Sequence, residues 1–254
     1  MAEDTALESL VRRWECHVPF TEADRQAIRA LPFVRRSVER DTYLVREGDD
    51  AQHCTLLLSG FAHRHKLIRN GARQIISIHI RGEFIDLQNS MLGVADHNVQ
   101  TLCRSEIAQV PRAALRDLST RHPEIGRAMW IDTLIDASIF REWVVNVGRR
   151  NSQSRIAHLL CELTLRMELA GLADAEGYDL PVTQEQLADA TGLTSVHVNR
   201  VLRSLREEGL ISLTTRSLRI LNAQRLREVG DFNERYLHLA PPPVQLETGP
   251  TIRA

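Results

Sequence analysis

Hydrophobic positions change their period twice along the chain. Residues 5 to 15 and 21 to 30 carry apolar side chains at helical spacing, and Thr21 with Asp24 three positions on matches a helix-capping pattern. From about Val34 to Val110 the runs shorten to strand length: TYLVREGDD, CTLLLSG, FAHRHKLIRNGARQ, IISIHIRGEF and EIAQVP, with Gly48, Gly60, Gly71 and Gly82 at the breaks. Short strands at this spacing predict a small β-roll or barrel. Within RQIISIHI, strict alternation places Ile76, Ile78 and Ile80 on one face and Ile75, Ser77 and His79 on the other.

After Pro111 the period becomes helical, first in RAALRDLST and then from about Glu124 to Val147. One apolar stripe of the long helix holds Ile125, Met129, Ile135, Ile139, Phe140, Trp143 and Val147; a second holds Trp130, Ile131, Leu134 and Val144. A helix apolar around so much of its circumference needs two partners. The roll supplies one and a second copy of the chain the other, with Met129, Ile135, Ile139 and Trp143 as the expected dimer seam; a helix wholly buried in a monomer is the alternative. A further helix spans Ser152 to Leu169, and the proline-rich end, PPPVQLETGPTIRA, has no periodicity. The pattern therefore predicts an α+β chain of two domains, each able to bury its own core. Residues 1–123 form N-terminal helices and a β-roll, 124–148 a dimerisation helix, 149–230 a winged helix-turn-helix, and 231–254 a disordered tail.

Composition narrows the class. With 43% hydrophobic and 26% charged residues, and no apolar run near the roughly 20 residues a membrane span needs, no bilayer crossing is expected. The start, MAEDTALESLVRRWE, lacks a leader pattern, which points to the cytoplasm. Cys16, Cys54, Cys103 and Cys161 lie far apart, so neither a disulfide framework nor a compact metal site is expected. A formal charge of −1 gives no global attraction to nucleic acid, but between Thr194 and Leu221 five arginines face only Glu207 and Glu208, a local +3.

That basic stretch lies within LPVTQEQLADATGLTSVHVNRVLRSLREEGLISLTTRSLRIL. Gln184 to Ala190 fits one short helix, Gly192 a tight turn and Ser195 to Glu208 a second helix, with a hairpin wing after it. Leu187, Ala188, Leu193, Val198, Val201, Leu202 and Leu205 supply the contacts between them, and Thr194 can cap the second helix. Its free face carries Ser195, His197, Asn199, Arg200 and Arg203, groups suited to base edges and phosphates in a major groove of double-stranded DNA. The bland alternative for such a face is a solvated surface.

The chain resembles the Crp/Fnr superfamily of bacterial transcription regulators over nearly its full length. The resemblance rests on LLLSGFAHRH and RGEF in the roll, QVPRAAL before the long helix, SRIAHLLCEL after it, and above all TQEQLADATGLTSVHVNRVLRSLREEGLI. It implies that the roll is a jelly roll like those that bind cyclic nucleotides, and that the protein is a homodimer on a near-palindromic site. It also implies that Arg200 reads guanine, that Thr183, Gln184 and Thr194 lie near phosphates, and that RNA polymerase is a further partner. Val196 stands where many members have an acidic residue, and Arg216 in the wing completes the expected DNA-contacting set.

The effector is not named by the sequence. Where nucleotide-binding members carry an arginine-serine pair for the cyclic phosphate, this chain has Ala95 and Asp96, so cyclic AMP is not expected to bind. Cys16 alone cannot hold an iron-sulfur cluster. His17, His53, His63, His65, His79 and His97 are conceivable haem ligands, but no spacing selects any of them, and no cofactor or metal is expected. The competing class is a cupin-like metal enzyme built on His63 and His65, two apart on one strand; the glutamate that pattern wants is missing from KLIRNG.

Overall fold

The computed structural model describes residues 6–214 and 217–239. Two short helices come first, α1 (Glu8–Glu15) and α2 (Glu22–Arg29). Thr21 caps α2 in a reciprocal box: its hydroxyl accepts from the Asp24 N–H at 3.2 Å, and the Asp24 carboxylate accepts from the Thr21 N–H at 2.9 Å. Seven strands follow: β1 (Val34–Val38), β2 (Tyr43–Val45), β3 (His53–Ser59), β4 (Ala62–Leu67), β5 (Arg73–His79), β6 (Asn98–Thr101) and β7 (Ser105–Pro111). They form two antiparallel sheets, β1-β7-β3 and β2-β6-β4-β5, folded over a small core of Val38, Val45, Leu57, Ala62, Ile85, Val99 and Ile107. The turn from β3 to β4 requires glycine at position 60, because φ is +87° and a Cβ there would lie 2.3 Å from the Ser105 hydroxyl.

Strand β5 departs from strict alternation. Arg64 pairs with Ser77 and His65 with Ile75, so Ile76 is an extra residue in a β-bulge. Ile75, Ile78 and Ile80 therefore share the outward, core-packed face, with Ser77 and His79 opposite; the alternation expected with Ile76 is broken by one residue.

Helix α3 (Arg112–Arg121) leads into the long α4 (Pro123–Arg149), which proline can start because the first-turn N–H has no intrahelical partner. Next come α5 (Ser152–Leu169), β8 (Tyr178–Asp179), α6 (Gln184–Thr191), α7 (Ser195–Glu207), β9 (Ile211–Leu213), β10 (Ser217–Ile220) and α8 (Ala223–Gly230). Strands β8, β10 and β9 form the small sheet that acts as a wing.

Two features differ from the expected layout. The core of the C-terminal half is not separate, since Phe61, Ile75, Ile78, Ile80 and Leu102 of the roll join one hydrophobic cluster with α4, α5, α6 and α7. The segment expected to be disordered from residue 231 is ordered at its start: Phe232 and Leu237 are buried, and the Tyr236 hydroxyl donates to Glu162 Oε2 at 2.8 Å. The proline run lies beyond, in residues 240–254, outside the described residues.

Candidate DNA-binding interface and sensor pocket

Helices α6 and α7 are each fixed by a threonine. Thr183 forms a reciprocal box with Gln186, and the Thr194 hydroxyl accepts from the His197 N–H at 3.3 Å. Between the helices Gly192 adopts φ +64°, the left-handed conformation that ends α6 and turns the chain into α7. Leu187 and Ala188 of α6 and Val198, Val201, Leu202 and Leu205 of α7 are buried. That packing pins one side of α7 and leaves the other in solvent.

The exposed side holds Ser195, Val196, His197, Asn199, Arg200 and Arg203, with Thr183, Gln184 and Thr194 also exposed nearby. Arg216 lies outside the described residues. The face is partly pre-organised. Asn199 donates to Gln184 Oε1 at 3.1 Å, tying α7 to α6, and Arg203 pairs with Glu207 at 2.8 Å. Val196 is 68% exposed, a large apolar side chain held out where a base methyl could meet it.

The family comparisons agree with this geometry. Residues 154–229 match the Crp-like helix-turn-helix domain, and residues 35–122 match the cyclic nucleotide-binding domain. The chain is 26% identical over 207 residues to the transcriptional activator protein FnrL of Cereibacter sphaeroides, covering 78% of this chain and 82% of that one. It is 27% identical over 180 residues to the nitrogen fixation regulation protein FixK of Azorhizobium caulinodans, covering 70% and 71% of the two chains. In fold it is similar to FixK2 from Bradyrhizobium japonicum, with a TM-score of 0.73 over 78% of this chain and 98% of that one at 24% identity. The chain belongs to the Crp/Fnr family of transcription regulators.

In this Crp/Fnr regulator the expected dimer seam needs correction. Met129, Ile135, Ile139 and Trp143 are all buried within the subunit. Met129 joins the cluster under α1 and α2, Ile135 and Ile139 join the cluster shared with the roll, and the Trp143 indole donates to Glu162 at 3.0 Å. The side left open holds Trp130, Leu134 and Val144 of the other stripe, 65%, 47% and 53% exposed, together with Phe140 of the first at 46%. Both stripes were visible in the sequence, but apolar periodicity cannot say which of two faces its own chain will cover.

The pocket between the roll and α4 is filled from within. Glu83, in the RGEF segment, is buried and pairs with Arg166 at 2.9 Å, Arg13 at 3.1 Å and His79 at 3.1 Å. Burial alone would raise its carboxyl, but Arg166 and Arg13 hold it well below the usual carboxylate range. Arg64 donates to the Ile85 carbonyl and to Asp136 on α4. The cavity among these groups is about 30 Å³, room for a water or two, whereas small-molecule pockets are roughly 300–1,000 Å³. Ala95 is buried, and Asp96 is bound to His97 Nδ1 at 2.6 Å. The residues lining this cavity thus leave no room for a cyclic nucleotide, and the three arginines among them, Arg13, Arg64 and Arg166, are already paired with carboxylates.

The same arginines form a buried network that the sequence did not reveal. Arg13 on α1 also pairs with Asp132 on α4 at 2.9 Å. Arg166 on α5 donates to the Ile78 carbonyl at 2.7 Å and pairs with Glu162 at 3.1 Å. Glu162 accepts in turn from Trp143 and Tyr236. Apart from the i,i+4 pair of Glu162 and Arg166 on α5, the partners stand well apart in the chain, and no local pattern joins them.

The enzyme alternative does not stand beside a family of transcription regulators. His63 and His65 are both 0% exposed, and no cluster of three or more His, Cys, Asp or Glu residues poised for a metal occurs among the described residues. All four cysteines are free thiols, two of them, Cys54 and Cys161, buried.

Proposed function

We propose that this regulator works as a homodimer on a near-palindromic operator, each α7 entering the major groove at half-sites about 34–36 Å apart. The observation that carries the reading is the exposed outer face of α7, with Arg200 at its centre. Arg200 donates two hydrogen bonds to a guanine, Arg203 meets phosphate, and Thr183, Gln184, Thr194, Ser195, His197 and Asn199 meet the backbone and neighbouring bases. Val196 makes this operator differ from those read by relatives with an acid at that place, since methyl groups favour a thymine methyl.

The dimer seam in this reading is the open stripe of α4. Trp130, Leu134, Ala137, Arg141, Val144 and Gly148 recur at alternating steps of four and three, the spacing of a two-helix coiled coil. Cyclic AMP is not the effector, for the reasons of volume and charge given above. The protein acts in the cytoplasm and touches RNA polymerase, as relatives named transcriptional activators support.

Selection of bound sequences from random DNA tests the reading. Wild type should return two half-sites with a guanine in each, and Arg200→Ala should lose the preference at that guanine. A variant that keeps the guanine removes Arg200 from the base-reading role.

A further inference from the structure

The outer face of the four-stranded sheet carries polar side chains where a solvent-free contact wants apolar ones. Across the strands, Tyr43, Gln100, His63 and Ile78 stand in register, and Asn98, His65 and Ile75 form the next rung. Tyr43 meets the His65 ring edge-on at 5.8 Å, and the two imidazoles are 5.0 Å apart. Both histidines are fully buried, and none of their four ring nitrogens has a hydrogen-bond partner; Gln100 Oε1 beside them has none either. A neutral imidazole always presents one N–H, so each ring leaves a buried donor unmet.

What covers this face is the DNA-binding domain. Arg73 on β5 pairs with Asp189 on α6 at 2.7 Å, and Gln74 donates to the Ala190 carbonyl at 3.5 Å. A gap of about 500 Å³ beside the contact is walled by Tyr43, from the first strand of the sheet, by Arg73 and Gln74, from the last, and by Glu185, Ala188 and Asp189 of α6. Helix α6 therefore packs against β5, the strand next to β4, on the side of the sheet where the two histidines lie.

We propose that His63 and His65 form a proton-sensitive latch between the roll and the DNA-binding domain: neutral, they accept α6 over the sheet, and protonated, they release it. The surrounding charges favour release. From β5 the pair faces Arg73, with His79 on the opposite side of that strand bound to Glu83. From β2 it faces Tyr43 with Arg46 stacked on its ring, and ahead of β6 His97, bound to Asp96. Lys66, next on β4, is bound to Glu47. Helix α6 brings Glu185 and Asp189, and Asp189 is already engaged by Arg73. Burial, then the neighbouring imidazoles and Arg73, push His63 down to about 3; burial, then Arg73 and His97, push His65 down to about 4.

The sign follows from linkage. Free of α6, each ring returns to a pKa of about 6.5 and takes up a proton below it, which the docked form does not do until pH 3 to 4. Docking is therefore complete above about pH 7 and weakens as pH falls through 6.5. Between pH 7.5 and 5.5 one ring alone changes the docking equilibrium about tenfold; the two together change it by more than that but less than about 100-fold, because two imidazolium charges 5.0 Å apart repel. The bearing on DNA rests on the reading of α6 and α7 given above; the latch itself does not.

Amide hydrogen exchange on the DNA-free, full-length protein at pH 7.5 and 5.5, corrected for the intrinsic pH effect, tests it. Opening of α6 peptides should rise by more than about tenfold, and by less than about 100-fold, at pH 5.5, while peptides from β3, β4 and β7, held in their ladders, keep their protection. His63→Phe and His65→Phe singly should each leave about a tenfold response, and the double variant none. Unchanged α6 protection in wild type overturns the latch, and so does a full response in either single variant or in the double variant. The single variants keep the test decisive if the double variant does not fold.

Discussion

Helix α7 and the sensor pocket use the same side chains to opposite ends. On α7 the arginines stand in solvent, Arg203 with only a surface partner and Arg200 in the middle of the exposed face. In the pocket Arg13, Arg64 and Arg166 are turned inward and matched to Glu83, Asp132, Asp136 and Glu162. Chemistry meant for an outside partner is left unfinished; chemistry that holds the fold is completed inside it. The two stripes of α4 show the same contrast in apolar form, one covered by the chain except at Phe140 and the other open except at Ile131.

The largest effect should come from opening the closed region. Arg166→Ala leaves Glu83 and Glu162 buried with one cation fewer and should cost about 3–5 kcal/mol, read as a lower melting temperature. A shift of only a degree or two would mean that the network is a surface-like ion pair. Next, Trp130→Glu with Leu134→Glu should remove about 2–4 kcal/mol of dimerisation and release monomers in sedimentation, with little change in the fold of each subunit. A persistent dimer would place the seam elsewhere. Arg200→Ala should cost about 1–3 kcal/mol per half-site and fall on one base. Arg203→Ala should weaken all sequences alike and lower the salt slope by about one. Smallest is cyclic AMP, which at millimolar concentration should leave the melting temperature unmoved, where a ligand at 100 times its dissociation constant would add about 2.7 kcal/mol.

What the sequence made legible was what local pattern determines. The capping residues Thr21 and Thr194, the Gly192 turn and the buried positions of α7 all follow from spacing within a few residues, whereas the cap made by Thr183 came only with the structure. The choice between the stripes of α4 did not, because it depends on where the roll lies. The bulge at Ile76 escaped as well, since it appears only in the pairing with β4. Tyr236 was assigned to a tail because PPPVQ follows so closely, yet it is packed against α5 by an aromatic cluster with His158 and Phe232. For Arg166 only the i,i+4 pairing with Glu162 could be read locally; its partner in the roll could not. One more arginine on an amphipathic helix says nothing of a glutamate 83 residues away.

Arg166 also limits how this protein can be taken apart. It belongs by sequence to the module that meets DNA, yet its side chain is completed by Glu83 in the other module. A chimera that grafted a foreign helix-turn-helix after α4 would keep Glu83 and Arg13 but lose the second of the two guanidiniums that neutralise this carboxylate, so the join would be weakened at a point far from the splice. Exchange between relatives must carry the Arg166–Glu83 pair as one inherited unit, whatever boundary the chain itself suggests.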